Sequence, residues 1–276
     1  MQPDAALLKL TAKRDAMTLM RGHHFTSRYG EGYDFAELRA YRSGDDVRKI
    51  AWNVTAKTGE LYVKELHDTR RLNVAVAALL DGSVYCAQDN AKQHLTARVA
   101  LTLGYAALLG GERFMGIALT PKETLLVPPS QEWGEAERLG EYIARASLLH
   151  TALDIPDALA RLDAALLEPS LLIVLYDFLE PCDLSLLAQR HDIVAIKIRC
   201  HAEAYGGFEG EKEVHNPKTG ARFRRYLGRA TRRAYLSRLH THDEALHAHF
   251  YANRIRFTHI TPEDNVVMRL MEAFGG

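Results

Sequence analysis

Two apolar runs that each end on an aspartate constrain the fold of this chain most. The first run covers residues 74–80 and stops at Asp81, and the second covers residues 171–176 and stops at Asp177. A short apolar run bounded by a turn signal predicts a strand buried on both faces, as in the centre of a parallel sheet. In open α/β sheets, ligands bind just past the carboxyl ends of such strands. Asp81, Ser83 and Asp177 are therefore the first candidates for a functional site.

The pattern from residue 72 onward predicts one large α/β domain. Helical periodicity alternates with short apolar strands, which indicates βαβ units and a mostly parallel sheet with helices on both faces. The connection from residue 119 to 124 is too short for a parallel crossover, so the strand at 123–128 is predicted to pair antiparallel at an edge. A hairpin is predicted within residues 204–227. The main helices are predicted at residues 90–110, 132–147, from about 154, and 229–254.

Composition and charge exclude several classes of protein. Of the 276 residues, 47% are hydrophobic and 25% charged, which is typical of a soluble globular protein. Lys plus Arg and Asp plus Glu both total 35, so no net charge attracts nucleic acid or acidic membranes. There is no apolar run long enough to span a bilayer and no secretory signal. The three cysteines, Cys86, Cys182 and Cys200, are too few for a disulfide framework. We therefore expect a cytoplasmic protein with free thiols.

Residues 33–66 have a different character and predict a small β-rich segment. A turn is predicted around residues 43–46 and an alternating strand at 61–66. Val47, Ile50 and Trp52 indicate a packed element between them. The plainer interpretation of the dense charges is solvated turns, and the sharper one is a recognition surface. The candidate partner-binding residues are Gly44, Asp45, Asp46, Arg48, Trp52, Lys57 and Lys64.

The same segment contains four ordered strings: Phe35-Ala36-Glu37-Leu38-Arg39, Gly44-Asp45-Asp46-Val47-Arg48-Lys49-Ile50-Ala51-Trp52, Thr55-Ala56-Lys57-Thr58-Gly59 and Val63-Lys64-Glu65. Together they resemble the signature of a bacterial family called domain of unknown function 58. The resemblance implies a von Willebrand factor A-like domain at residues 71–276, after an N-terminal helix and β-rich signature segment at 1–70. Many members have transmembrane helices before the signature, and this chain is similar to the short, soluble members.

What the family resemblance implies about function is an interaction role. Members occur alongside MoxR-type AAA+ ATPases, so we expect a non-enzymatic adaptor or chaperone-like partner of such an ATPase and its client protein. The alternative is a metal-dependent hydrolase that uses Asp81 and Asp177. The alternative has less support because no nucleophile or general base accompanies the two aspartates, and no hydrolase or phosphate-loop motif is present.

The von Willebrand A resemblance also implies a metal-ion-dependent adhesion site. Asp81 and Ser83 match the first Asp and Ser of its Asp-x-Ser-x-Ser motif, and Asp177 matches its late aspartate. Tyr85 replaces the second serine, and Thr151 is the nearest candidate for the threonine ligand. Oxygen ligands of this kind suit Mg²⁺ or another divalent cation. Two interpretations remain open: a weakened cation site, or a degenerate site whose aspartates accept hydrogen bonds from backbone and hydroxyl groups.

Three further clusters carry chemistry without a specific motif. The cysteines and His201 follow presumed neighbouring strands, which suits zinc in residue type but not in spacing. The arginines between residues 222 and 238 form a local basic patch for phosphate or an acidic partner, with a solvated helix face as the plainer interpretation. The patch lacks the aromatic stacking pattern of nucleic-acid binders. The histidines at 240–249 read as a polar stripe, with a pH-sensitive or metal-binding surface as the alternative.

Overall fold

The computed structural model describes residues 5–21, 38–42, 45, 50–64, 72–85, 90–206 and 209–274. The chain divides into two compact units, residues 26–72 and residues 1–25 with 73–276. The first helix, α1 (Ala5–Arg21), thus belongs with the large unit, whereas the sequence analysis placed it with the signature segment. The reason is packing: α1 lies against the helix at 91–109, and Asp15 of α1 pairs with Arg98 at 2.6 Å.

The small unit contains a two-stranded antiparallel sheet and one helix within its described residues. Strand β1 (Leu38–Ala40) pairs with β2 (Tyr62–Lys64), and α2 (Trp52–Thr58) lies between them in sequence. Ile50 and Val63 are buried and form a β-bridge. The sequence predicted that Trp52 belongs to a packed element, but the residue is 62% exposed, so this prediction is wrong for Trp52. It begins α2, where its indole is left in solvent.

The large unit alternates strands and helices along the chain. After α1, its described α-helices and strands are β3 (Asn73–Leu79), α3 (Ala91–Leu109), β4 (Arg113–Leu119), β5 (Thr124–Ser130), α4 (Trp133–Arg145), α5 (Ile155–Ala165), β6 (Leu171–Tyr176), α6 (Ser185–Ala188), β7 (Asp192–Ile198), α7 (His201–Tyr205), β8 (Gly210–His215), β9 (Arg222–Leu227), α8 (Arg229–Ala252), β10 (Arg256–Ile260) and α9 (Val266–Phe274).

Six of these strands form one sheet in the order β10-β7-β6-β3-β4-β5. All neighbouring strands are parallel except β5, which is antiparallel to β4 at the edge. The predictions of a mostly parallel sheet and an antiparallel edge strand are confirmed.

Both faces of the sheet are covered by helices. Every residue of β3 and β6 is buried, as the continuous apolar runs predict. On one face α5, α6 and the end of α8 contribute to a single apolar cluster with alternate residues of the central strands. On the other face α3 and α4 pack against β4, where Phe114 and Leu139 both lie beside Gly116. In the described part of the chain, no helix has the length and apolar character needed to cross a membrane.

The predicted hairpin is confirmed as β8 and β9, which pair antiparallel. Its turn is closed by backbone hydrogen bonds between Asn216 and Ala221 and between Gly220 and Asn216. The Asn216 side chain accepts from the Lys218 backbone N–H at 2.9 Å, a turn role that suits asparagine. The turn reaches the loop before α5, because the His150 N–H donates to the Pro217 carbonyl at 2.7 Å. The hairpin thereby brings Lys218 to the carboxyl ends of the strands.

Candidate functional site

Asp81 follows the end of β3 after one intervening residue, Leu80, and is fully buried. One carboxylate oxygen accepts from the Ser83 N–H at 2.9 Å, and the other accepts from the Leu153 N–H at 3.3 Å. The second oxygen also lies 2.8 Å from the Lys218 ammonium, which pairs with Glu180 at 2.7 Å as well. Asp81 therefore has a cationic partner from the hairpin turn in addition to backbone donors.

Asp177 follows directly after β6, which is the parallel neighbour of β3. One of its oxygens lies 2.9 Å from the Lys92 ammonium, and the other accepts from the Leu179 N–H at 3.0 Å. Lys92 projects from the first turn of α3 and also contacts Glu203 at 3.0 Å. The side chains of Lys92 and Asp177 are 3% and 1% exposed, so this ion pair is isolated from water. We call Asp81, Ser83, Lys92, Asp177 and Lys218 the carboxyl-edge site.

Electrostatics keeps the buried pair charged. Burial acts to raise the pKa of Asp177, but the charge and hydrogen bond of Lys92 outweigh it and lower the pKa below its usual range. Burial acts to lower the pKa of Lys92, but Asp177 and Glu203 outweigh it and raise the pKa. Burial raises the pKa of Glu203. At neutral pH the site thus holds an ammonium group against a carboxylate in a low-dielectric interior.

The structure brings together only part of the predicted ligand set. Ser83 lies beside Asp177, where its hydroxyl helps to lower the pKa of that carboxyl. The Tyr85 hydroxyl donates to the Ala146 carbonyl at 2.9 Å. The Thr151 hydroxyl donates to Leu148 of its own loop at 2.6 Å, while its carbonyl accepts from Gly82. The hydroxyl groups of Tyr85 and Thr151 therefore bind backbone carbonyls of the loop before α5 instead of pointing to a shared cation site.

These residues fit a divalent cation poorly. A bound Mg²⁺ needs several oxygen atoms that are free to coordinate it. Here the Lys218 ammonium group already engages one carboxylate oxygen of Asp81, and the Lys92 ammonium group engages one of Asp177. Backbone N–H groups engage the remaining oxygen of each carboxylate. Among the described residues, no group of three or more His, Cys, Asp or Glu side chains is arranged to hold a metal ion.

A small residue at position 82 lets the hairpin turn close over Asp81. A Cβ atom on Gly82 would overlap with the carbonyl oxygen of Pro217. The Gly82 N–H donates to the Thr151 carbonyl at 2.8 Å, so this backbone segment is fixed from two sides. Only glycine permits the turn to approach closely enough for Lys218 to reach the carboxylate.

Sequence reasoning missed the cationic residues of this region. Lys92 and Lys218 were not candidates, and neither was Arg199, whose side chain is 2% exposed. The Arg199 guanidinium pairs with both Asp243 oxygens at 2.8 Å and donates to the carbonyls of Asp177 and Phe178. One signal was available: Arg199 follows an apolar strand directly, as Asp81 and Asp177 do.

Among the described residues, neither Cys182 nor Cys200 belongs to a group of His, Cys, Asp or Glu side chains that could hold zinc. Cys182 is a free, buried thiol, and burial raises its pKa to about 12. Cys200 is disulfide-bonded, so the expectation of free thiols is wrong for this residue. Cys86 lies outside the described residues.

The histidines of α8 have separate partners and do not form one stripe. His242 contacts the Phe178 carbonyl at 2.7 Å, and His247 contacts the Lys197 ammonium nitrogen at 2.8 Å. His249 accepts from the Leu184 N–H at 3.2 Å, and His240 lies 3.3 Å from Glu244. Each ring serves a different local contact.

His259 on β10 gives the large unit a predicted acid sensitivity. Burial, with the nearby charges of Lys197 and Arg199, lowers its pKa from 6.5 to about 4. As pH falls, His259 is therefore protonated in the unfolded chain before it is protonated in the folded one. Its contribution to the free energy of unfolding is complete above about pH 6.5 and is lost towards pH 4. Between these two pH values, we expect the free energy of unfolding to fall by about 1–2 kcal/mol more in the wild-type protein than in His259→Gln, after allowance for the partial exposure of the side chain. Urea unfolding at a series of pH values measures the difference, and parallel profiles would contradict it.

The partner-binding residues predicted in the small unit are only partly described. Asp45 lies in a turn in which its carboxylate accepts from the Arg42 N–H at 2.7 Å. Trp52 and Lys57 are exposed on α2. Gly44, Asp46 and Arg48, together with the side chain of Lys64, lie outside the part that the structure describes. Val47 lies outside it too.

Fold and site together define a mixed α/β protein whose mostly parallel sheet carries an ion-paired carboxylate site at its carboxyl edge. A family model described as "Protein of unknown function DUF58" matches residues 37–245. The chain therefore belongs to that family, which confirms the resemblance seen in the signature segment.

Relatives and solved structures are similar to parts of this chain. "Uncharacterized protein Rv1480" of Mycobacterium tuberculosis and "Uncharacterized protein Mb1516" of Mycobacterium bovis are each 27% identical over 210 residues, covering 69% of this chain. The matches span 62% of the length of these curated relatives.

Two solved structures of Bacteroides proteins are similar to this chain over about three quarters of its length. BatB from Bacteroides thetaiotaomicron has a TM-score of 0.43 at 9% identity, covering 74% of this chain and 97% of that one. An aerotolerance-related membrane protein from Bacteroides fragilis has a TM-score of 0.41 at 11% identity, covering 74% and 96%. At such TM-scores the likeness carries no functional conclusion.

Proposed function

We propose that this chain is a non-enzymatic protein-interaction module with a von Willebrand factor A-like fold and a degenerate adhesion-type site. In this site, lysine ammonium groups take the place of the divalent cation. The contacts of Lys218 with Asp81 and of Lys92 with Asp177 carry the proposal. The parallel pairing of β3 with β6, which sets the two aspartates at neighbouring strand ends, supports the von Willebrand A-like interpretation.

The proposed partner is a MoxR-type AAA+ ATPase together with its client protein. The support for this partner is the resemblance of the signature segment to a family whose members occur alongside such ATPases. The chain would act as an adaptor or chaperone-like partner and would need no metal for binding.

Two exposed apolar side chains suit this interaction role, one in each unit. Leu149 is 54% exposed beside His150, whose N–H holds the hairpin turn near the carboxyl-edge site. Trp52 on α2 is 62% exposed, and tryptophan is the residue type most enriched at energetic centres of interfaces. Both are candidates for direct contact with the partner.

The alternative of a metal-dependent hydrolase has less support. Asp81 and Asp177 are both engaged by ammonium groups, and neither is free to activate water. Hydrolysis would also need a nucleophile or general base within reach of the substrate.

Capture of the ATPase by the immobilised chain is expected to be equal in Mg²⁺ and in EDTA, because the site carries its own cations. Leu149→Ser is expected to reduce capture about tenfold, because a central apolar anchor contributes roughly 1–2 kcal/mol to binding. A pull-down with the purified MoxR-type ATPase and quantitative blotting measures both effects.

Leu167→Ser is the matched control for this experiment. Leu167 is 85% exposed but precedes β6, at the opposite edge of the sheet, so its replacement should leave capture unchanged. Loss of capture in EDTA, or heat released on titration with millimolar Mg²⁺, would contradict the metal-free site. Absence of capture under all conditions would contradict the proposed partner, and phosphatase or nuclease turnover would favour the hydrolase.

A further inference from the structure

The arginine-rich stretch that follows the hairpin turn forms an exposed basic surface. No Asp or Glu occurs between residues 214 and 242, a range that includes the hairpin turn and the whole arginine-rich stretch. Over the whole chain, by contrast, acidic and basic residues are equal in number. No carboxylate of the described residues lies within ion-pairing distance of these arginines, whereas Arg190, Arg199 and Arg269 elsewhere are all paired. The arginines are Arg222, Arg224, Arg225, Arg229, Arg232, Arg233 and Arg238.

The first turns of α8 carry this surface, and within the described part of the chain they contact α7 on one side only, through Arg232 and Tyr235. No residue of α8 before Leu246 is buried, and most residues from Arg229 to His240 are exposed. A long helix end that is exposed on nearly every side gains little stability from packing within its own chain. This part of α8 is therefore available as an interaction surface.

A groove of ≈ 760 Å³ runs along one side of this helix end. Its helical residues recur every three or four positions, so they form a single stripe. The stripe places Arg229 and Arg233 towards one end, Leu236 in the middle and His240 at the other end, with Glu209 as a further lining residue. Arg232 also lines the groove and donates to the Tyr205 carbonyl at 3.2 Å, which fixes α8 against α7.

We infer that this groove docks an acidic segment of a partner protein, with its carboxylates on Arg229 and Arg233 and an apolar side chain on Leu236. The guanidinium groups, which have no carboxylate partner among the described residues, match carboxylates in charge and in bidentate geometry. Leu236 at the centre of the stripe adds a place for one apolar anchor.

A protein segment fits this surface better than nucleic acid does. Glu209 in the groove, and Glu211 and Glu213 on β8 opposite Tyr226 and Arg224, would repel a continuous phosphate backbone. The Phe223 ring already has a guanidinium partner, because Arg225 lies 5.7 Å from its centroid. A peptide can place its carboxylates away from these glutamates, whereas a phosphate chain carries a charge at every step.

The experiment uses the full chain and a short fluorescein-labelled peptide of aspartates and glutamates around a single leucine. Fluorescence anisotropy is expected to report binding that weakens as salt is raised, because exposed charges are screened. Arg229→Glu with Arg233→Glu is expected to weaken binding at least about tenfold, whereas lysine at both positions should retain most of it. A peptide with serine in place of leucine should bind more weakly.

Arg14→Glu with Arg21→Glu is the matched control. These arginines are exposed on α1 and give the same change in net charge at a different place, so binding should stay close to wild type. Equal loss in the two double variants would overturn the assigned groove. Tighter binding of a single-stranded oligonucleotide than of the acidic peptide would overturn the assigned partner. The inference stands apart from the proposed function, because this assay contains no ATPase.

Discussion

Replacing Lys92 with methionine is expected to lower the free energy of unfolding by about 3–5 kcal/mol. The substitution keeps most of the side-chain volume but leaves the Asp177 carboxylate buried without its ammonium partner. An uncompensated buried charge costs far more than the net worth of the ion pair that it replaces. Urea unfolding followed by circular dichroism measures the change in midpoint.

Two further variants separate this charge effect from a loss of packing. Lys92→Met combined with Asp177→Asn removes both charges, so the double variant should be more stable than Lys92→Met alone. Lys122→Met changes an exposed lysine and should stay within about 0.5 kcal/mol of wild type. Asp177→Asn alone completes the cycle, and a double variant whose loss of stability equals the sum of the losses in Lys92→Met and Asp177→Asn would show that the two residues do not act as a pair.

Replacing Gly82 with alanine is expected to displace the hairpin turn and destabilise the large unit by about 1–3 kcal/mol. The new methyl group would overlap with the Pro217 carbonyl, which is backbone and cannot rotate away. Movement of the turn withdraws Lys218 from Asp81 and leaves the buried Asp81 carboxylate with fewer partners. Hydrogen–deuterium exchange in residues 210–227 is expected to rise, and urea unfolding reports the loss of stability.

Gly134→Ala provides the matched control. A Cβ atom at Gly134 has no neighbour within 4 Å, and this residue lies in α4. Alanine there should leave exchange in the hairpin unchanged and stabilise the helix by up to about 1 kcal/mol. Unchanged exchange of residues 210–227 in Gly82→Ala would mean that the turn does not depend on a small residue at this position.

The strands could be predicted because their signal is local. The apolar runs that end at Asp81 and Asp177 mark β3 and β6, and the short link before β5 allows only antiparallel pairing. β5 extends through Pro128 and Pro129 to Ser130, beyond the predicted end at the prolines. An edge strand tolerates proline because one side of its backbone needs no partner strand.

The cations of the site could not be predicted because their positions depend on distant parts of the chain. Lys92 lies 85 residues before Asp177 in sequence and reaches it only because α3 begins above the same sheet edge. Lys218 reaches Asp81 through the turn of a hairpin inserted after β7. Neither residue belongs to a spaced motif, so each looked like an ordinary surface lysine.

The sequence by itself determined the family, the mostly parallel sheet and the carboxyl edge at which Asp81, Ser83 and Asp177 meet. These features follow from residue order, because apolar periodicity and a contiguous signature are local properties of the chain. Only the tertiary structure decided what those carboxylates bind. Buried charges must be paired, and the folded chain supplies the partners from α3 and from the hairpin turn.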